Sequence, residues 1–282
     1  MGIRLVLART MYDWDGAPKR YRETPADAAR RVRELIAAHR HDDTVTIQPA
    51  PHSPHGASPA MIRAGWEVAE AEDTVFHIHV AEGQYEGERT LREHGATPIR
   101  YLDRLGVLGP RMIGVHCVLA RRRGDRADGR AGRRAGLLPG SNMFLGDGIT
   151  RIPEMLKAGV RIGLGTDGGC TNNRALGVRR DAHVLAAPAR APAGRHRAVG
   201  RDRVRAGARA TAAGLVGLEA GVIAAGQLAD LVAIDLGHLS LQPRNDLLKS
   251  VVYAMSPQAV TDVWVHGRRV VEQRTTDDDR RG

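Results

Sequence analysis

Cysteine is nearly absent. Cys117 and Cys170 are the only two in 282 residues, too few for a disulfide framework, so the sequence predicts a reducing, cytoplasmic setting. Long apolar runs are also missing. None approaches the roughly 18 residues of a membrane span, so no membrane partner is expected. Met1–Thr10 lacks a cleavage-site pattern, so no signal peptide is read. Lysine and aromatic residues are absent from the two segments that make the chain basic. Residues 120–138 hold seven Arg against two Asp, and residues 174–214 hold ten Arg against two Asp. The formal net charge is +10, yet outside these windows the chain is slightly acidic. A nucleic-acid surface would mix Lys with Arg and interleave stacking aromatics, so no nucleic-acid partner is expected. The windows read either as solvated loops or as segments translated out of frame.

What is present is a chain 42% hydrophobic, enough for one large α/β domain with a small appendage. Strands are expected at Ile3–Ala8, Thr44–Gln48, Thr74–Val80, Met112–Val118 and Val160–Gly165, with a weak one near Gly136–Pro139. Helices are expected between them. Thr24-Pro25 and Ser58-Pro59 each pair an N-cap hydroxyl with Pro at the first helical position. Further helical stretches are Tyr85–His94, Pro98–Leu105 and Ile152–Ala158, and residues 207–218 are open to a helix. Alternating strands and helices point to parallel βαβ units. Beyond residue 214 the pattern changes to Asp230–Leu236, Val251–Met255 and Val260–Val271, read as strands without intervening helices. A polar tail, 272–282, follows.

Three strand ends carry metal-site residue types. In Phe76-His77-Ile78-His79-Val80-Ala81-Glu82 the two histidines share one strand face, with Glu82 just past the end. His116 closes Gly114-Val115-His116, and Asp167 follows the strand in Gly163-Leu164-Gly165-Thr166-Asp167-Gly168-Gly169. Each alone has an ordinary reading, as a packed core histidine or a turn aspartate. Together, at the strand ends where α/β barrels gather their chemistry, imidazole and carboxylate suit a catalytic divalent metal. His39-x-His41 sits at a helix end and reads as solvated.

The segments HIHVAE, TPIRYLDRLGVLGPRMIGVHC, PGSNMFLGDGITRIPEMLKAGVRIGLGTDGGCTNN and GVIAAGQLADLVAIDL, in this order, resemble the amidohydrolase superfamily. The closest resemblance is to its aminohydrolase and chlorohydrolase branch, which holds methylthioadenosine/adenosylhomocysteine and oxoguanine deaminases and triazine chlorohydrolases. The resemblance implies an incomplete (β/α)8 TIM-like barrel, supplying about strands three to eight, with a partial C-terminal β-sandwich. It divides the chain into a barrel part, 1–218, a sandwich remnant, 219–271, and the tail, 272–282. It implies one divalent metal, Zn or Fe, on His79 and Asp167, with His116 as a possible third ligand. Glu82, His116 and Asp167 become the catalytic residues. Glu82 and His116, with His52 of Pro51-His52-Ser53-Pro54, become substrate contacts. Ser141-Asn142 matches a motif with a structural or rim role. The implied reaction is hydrolytic deamination of a purine-like or other N-heterocyclic small molecule, in a possible homo-oligomer. The alternatives are a triazine-type chlorohydrolase and an inactive protein that keeps the fold. The family's first-strand HxH metal pair has no counterpart, so the sequence is read as truncated, with an incomplete donor set.

Overall fold

The computed structural model describes residues 2–120, 134–172 and 212–276. Six parallel strands appear in sequence order: β1 (Leu5–Met11), β2 (Val45–Pro51), β3 (Phe76–Val80), β4 (Met112–His116), β5 (Arg134–Leu137) and β6 (Arg161–Leu164). Helices α1 (Pro25–Ala38), α2 (Pro59–Ala71), α3 (Gln84–His94), α4 (Pro98–Arg104), α5 (Pro139–Leu145), α6 (Ile152–Lys157) and α7 (Gly169–Asn172) lie between or after them. The expected α/β architecture is present, with strand bounds shifted by a few residues. Most of the two Arg-rich windows, residues 121–133 and 173–211, lies outside the described residues, as does the tail beyond 276.

Local chemistry starts the helices where the sequence marks them. Thr24 accepts from the Asp27 amide, and Ser58 accepts from the Met61 amide, each satisfying a donor of the first turn. Ser58 is itself tied to Asp13 through its amide at 2.7 Å. Val32, Met61, Ile62 and Val68 are fully buried on the inner faces of α1 and α2. They pack in one core with Phe76, Ile78, Leu102 and Leu137.

The six strands form two ladders, β1-β2 and β3-β4-β5-β6. The break between β2 and β3 has a chemical cause. The His52 amide donates to the Met11 carbonyl on the β1 side, so by alternation Pro49 and Pro51 face β3. Neither has an N–H to give, and the ladder cannot form. The two strands still meet: the His79 amide donates to the His52 carbonyl at 2.9 Å. Fully buried Gln48 spans the same gap, with its Oε1 2.7 Å from His77 Nε2 and its Nε2 3.0 Å from the Val216 carbonyl.

The C-terminal part corrects the sequence reading. Val251–Met255 is not a strand: Val251–Tyr253 closes a helix, Leu247–Tyr253, and Ala254 is its C-cap. Asp246 caps it by accepting from the Lys249 amide, and this local cap outweighs the strand preference of the Val251-Val252 pair. The single strand read at Val260–Val271 is a hairpin of β8 (Val260–Val265) and β9 (Arg268–Glu272). Its turn residues His266 and Gly267 both have positive φ, 52° and 74°, as a tight hairpin turn requires. With β7 (Leu231–Ile234) and β10 (Thr275–Thr276) these form a four-stranded antiparallel sheet. Of the 207–218 stretch, Ala212–Leu215 is a short helix.

This sheet is clasped to the first strand by one ion pair. Arg4 reaches Asp230 with two bonds, 2.6 and 3.0 Å, and Asp230 also accepts the His266 amide at 2.8 Å. Fork-on-fork geometry makes such pairs stronger than ordinary surface pairs. Replacing Asp230 with Ala strands both donors, and we expect a loss of about 1–3 kcal/mol. A urea titration will show it as a lowered midpoint with unchanged slope.

Candidate functional site

The carboxyl ends of β1, β2, β3 and β4 deliver a file of rings. Tyr12 stacks on His52 at 4.5 Å between centroids, His52 lies 4.8 Å from His79, and His79 lies 5.5 Å from His116. Hydrogen bonds set which nitrogen of each imidazole faces outward. His79 Nδ1 is 2.7 Å from the His52 carbonyl. A carbonyl only accepts, so Nδ1 carries the proton and Nε2 keeps its lone pair. His116 Nδ1 is 2.7 Å from Asn142 Oδ1, which likewise frees Nε2. Ser53 Oγ accepts from the Gly56 amide at 2.9 Å, so its hydroxyl can donate to His52 Nδ1 at 2.8 Å. That leaves the neutral His52 ring with a donor at Nε2. Burial first, then neighbouring His79, His55 and His116, push His52 down to about 3. Burial foremost also lowers His79, with His116 adding to the effect. Both rings are neutral at neutral pH, the form that metal ligation needs.

Glu82 follows β3 directly, and His116 Nε2 lies 3.5 Å from its Oε1, close enough for a proton to pass between them. Asp167 follows β6. Its Oδ2 accepts from Ser141 Oγ at 2.6 Å and its Oδ1 from the Gly168 amide at 2.7 Å. Burial alone would raise this carboxyl, but the bonds from Ser141, Gly168 and Thr171 hold it below its usual value. The Ser141-Asn142 pair thus has a structural role of a definite kind: adjacent residues of α5 position Asp167 and His116. Ala81, His116 and Asp167 have positive φ of 53°, 71° and 66°. Non-glycine residues in this region cost energy and gather where function needs them.

All five residues singled out from sequence, His52, His79, Glu82, His116 and Asp167, therefore lie at the same end of the parallel strands. His77 does not join them. It points into the core on Gln48, and burial first, then His79, lowers it to about 4. His39 falls at the end of α1, beside a cleft at the opposite, amino end of the strands.

Sequence reading missed a second layer. Glu86, 4% exposed, accepts the Glu82 amide at 2.8 Å and so fixes the turn that aims Glu82. Burial raises its carboxyl to about 7. Asp147, just beyond α5, is raised by burial foremost and is affected by both His116 and Asp167. Buried Nδ1 of His55, Oε1 of Glu86, Nδ2 of Asn142 and Oδ2 of Asp147 have no protein partner. Glu86 was legible only as an acid in the first turn of a helix, a position that ordinarily signals helix-dipole compensation.

The donor chemistry suits a divalent metal in part. His79 offers a free Nε2 on a ring fixed by its other nitrogen, and Asp167 offers a carboxylate held ionised. Among the described residues, however, no three His, Cys, Asp or Glu side chains converge closely enough to hold a metal.

The amidohydrolase family model matches residues 1–270. A 5-methylthioadenosine/S-adenosylhomocysteine deaminase of Syntrophobacter fumaroxidans is 30% identical over 275 residues, covering 97% of this chain and 62% of the relative. A 5'-deoxyadenosine deaminase of Methanothermobacter thermautotrophicus is 30% identical over 267 residues, covering 95% and 62%. The chain thus spans about three fifths of the length of the curated relatives it matches. Among solved structures, a zinc-bound adenosine deaminase from Xanthomonas campestris superposes with TM-score 0.86 at 28% identity, over 98% of this chain and 63% of that one. Atrazine chlorohydrolase from Arthrobacter aurescens, complexed with zinc, gives TM-score 0.86 at 22% identity, over 98% and 63%, a likeness of fold.

The His52 shift has a sign that can be checked. Its folded value, about 3, lies below the ordinary 6.5, so the unfolded chain binds the extra proton between those values. Stability is full above pH 6.5 and falls as pH drops toward 3. In urea midpoints taken from pH 7 downward, we expect His52→Gln to lose up to about 1.4 kcal/mol per pH unit of that dependence. Equal slopes for both proteins would show that His52 is not held neutral.

Proposed function

The chain belongs to the amidohydrolase family, and from that premise we propose that its protein deaminates a purine-like or other N-heterocyclic ring by hydrolysis. The observation that carries this reading is the gathering of Glu82, His116 and Asp167 beside His79 at the carboxyl ends of one parallel array. The relatives' names, deaminases of adenosine-type compounds, support the reaction class and the substrate class.

His79 Nε2 and the Asp167 carboxylate would hold one divalent metal, zinc by likeness to the adenosine deaminase structure. Such a metal supplies hydroxide at neutral pH by lowering the pKa of its water to about 7. The other parts fall to this chain's side chains. Asp167, kept ionised by Ser141 and Gly168, accepts the proton of the attacking water. Glu82, with His116 at 3.5 Å, hands a proton to the ring nitrogen next to the attacked carbon. That draws charge from the carbon; the proton taken up by Asp167 then passes to the departing amine, the adduct's hydroxyl proton restores Glu82, and ammonia leaves as the tetrahedral adduct collapses. His52 donates from Nε2 to an acceptor on the substrate, and its neutral state spares the site a third charge.

We assign residues 1–218 to the barrel part and 219–271 to the sandwich part, and we place the protein in the cytoplasm, a reading supported by its two unpaired cysteines. No helix among the described residues is long and apolar enough to cross a membrane. A second reading, an inactive protein that keeps the fold, rests on one observation: no three donors converge among the described residues.

Ammonia release from adenosine-type nucleosides, assayed with added zinc, separates the two. An active enzyme should lose about 10²–10⁴ of kcat/KM in Asp167→Asn and in Glu82→Gln, with circular dichroism unchanged. No release by the unaltered chain favours the inactive reading. Release that survives both substitutions rules out the assigned roles.

A further inference from the structure

At the amino ends of the same strands, away from the site just described, lies a cleft of about 680 Å³. Val45, Val75 and Val216 give it apolar walls, and Arg111 and Arg134 line it. Arg134 opens β5, and its direct partner across the parallel ladder is Arg161, which opens β6. Arg111 immediately precedes β4. Three consecutive strands therefore place a guanidinium at one end of the array.

Paired strands lie about 4.8 Å apart, and like charges placed directly opposite destabilise a sheet. The other charges of the cleft are compensated. Arg40 pairs with Glu72 at 3.2 Å, and Arg111 pairs with Asp73 at 2.8 Å and also donates to the Thr74 carbonyl at 3.0 Å. Among the described residues no carboxylate lies within ion-pair distance of Arg134 or Arg161. Arg134 donates through Nη1 to the Leu215 carbonyl, while its Nε is buried without a partner. Burial first, then Arg161 and Arg111, lower its guanidinium from its usual value. A guanidinium has five donors in a planar fork, and half-buried Arg134 keeps one of them, Nε, away from both solvent and any protein acceptor, a donor that an anion can meet.

We propose that a phosphate-class oxyanion binds at this end of the array, on Arg134 and Arg111, which line the cleft, and on Arg161 beside Arg134 in the ladder. A dianion satisfies the unpartnered Nε of Arg134, offsets the repulsion across the β5–β6 ladder, and leaves the apolar walls for whatever the phosphate is attached to. The site stands apart from Asp167 and does not depend on the deaminase reading.

The test is calorimetric titration of the full chain with inorganic phosphate at constant ionic strength, with chloride and acetate as comparison anions. Saturable one-site binding of phosphate is expected, weakened roughly tenfold or more in Arg134→Met and in Arg161→Gln, and unchanged in Asp167→Asn. Arg161 is exposed, so Arg161→Gln should fold normally. Phosphate should raise the melting midpoint of the unaltered chain, and Arg134→Met should lose that rise. Unaltered phosphate binding in both arginine variants overturns the proposal. So does a heat that chloride or acetate reproduces in full.

Discussion

The parallel register from β3 to β6 is the constraint on which the site depends. Val80 stands opposite His116, and Leu137 stands opposite Leu164, so these strands stop at nearly one level. Each residue that follows a stop projects from the same rim. Three of the residues there, Ala81, His116 and Asp167, take left-handed backbone, a cost the ladder can impose because its hydrogen bonds fix the residues before them. Short helix α5 completes the arrangement, with Ser141 on Asp167 and Asn142 on His116. Two neighbouring side chains thus hold an imidazole and a carboxylate that are 51 residues apart in sequence.

Polarity is sorted by strand end. Imidazoles and the carboxylates Glu82 and Asp167 collect at the carboxyl ends, and the guanidiniums of Arg111, Arg134 and Arg161 at the amino ends. Between them lies a largely apolar core, beside which Gln48 and His77 satisfy each other. Burial acts oppositely on the groups it encloses. It lowers His52 to about 3 and raises Glu86 to about 7, in each case by disfavouring the charged form. The two residues therefore help keep the rim free of surplus charge while Asp167, held by three hydrogen bonds, stays ionised.

Much of this was legible because it is local. Thr24 and Ser58 each announce a helix within four residues, and the alternation in Phe76–Val80 places His77 and His79 on one face. Alternation alone could not tell the two histidines apart. Their difference comes from Gln48 beneath one and the His52 carbonyl beside the other, both on a different strand. The roles of Ser141, Asn142, Glu86 and Asp147 were hidden for the same reason, since their partners meet them only in the folded chain. Val251–Tyr253 was misread because β-branched composition was weighed above the Asp246 cap. The resemblance of scattered motifs carried the rest, supplying roles that no single strand end establishes.

The chemistry turns on whether His79 and Asp167 share a metal. A crystal of the zinc-soaked chain, measured at the zinc absorption edge, answers this directly. An anomalous peak is expected about 2.0–2.2 Å from both His79 Nε2 and an Asp167 carboxylate oxygen, with remaining positions filled by other ligands or water. A peak elsewhere, or none between these two side chains, would contradict it.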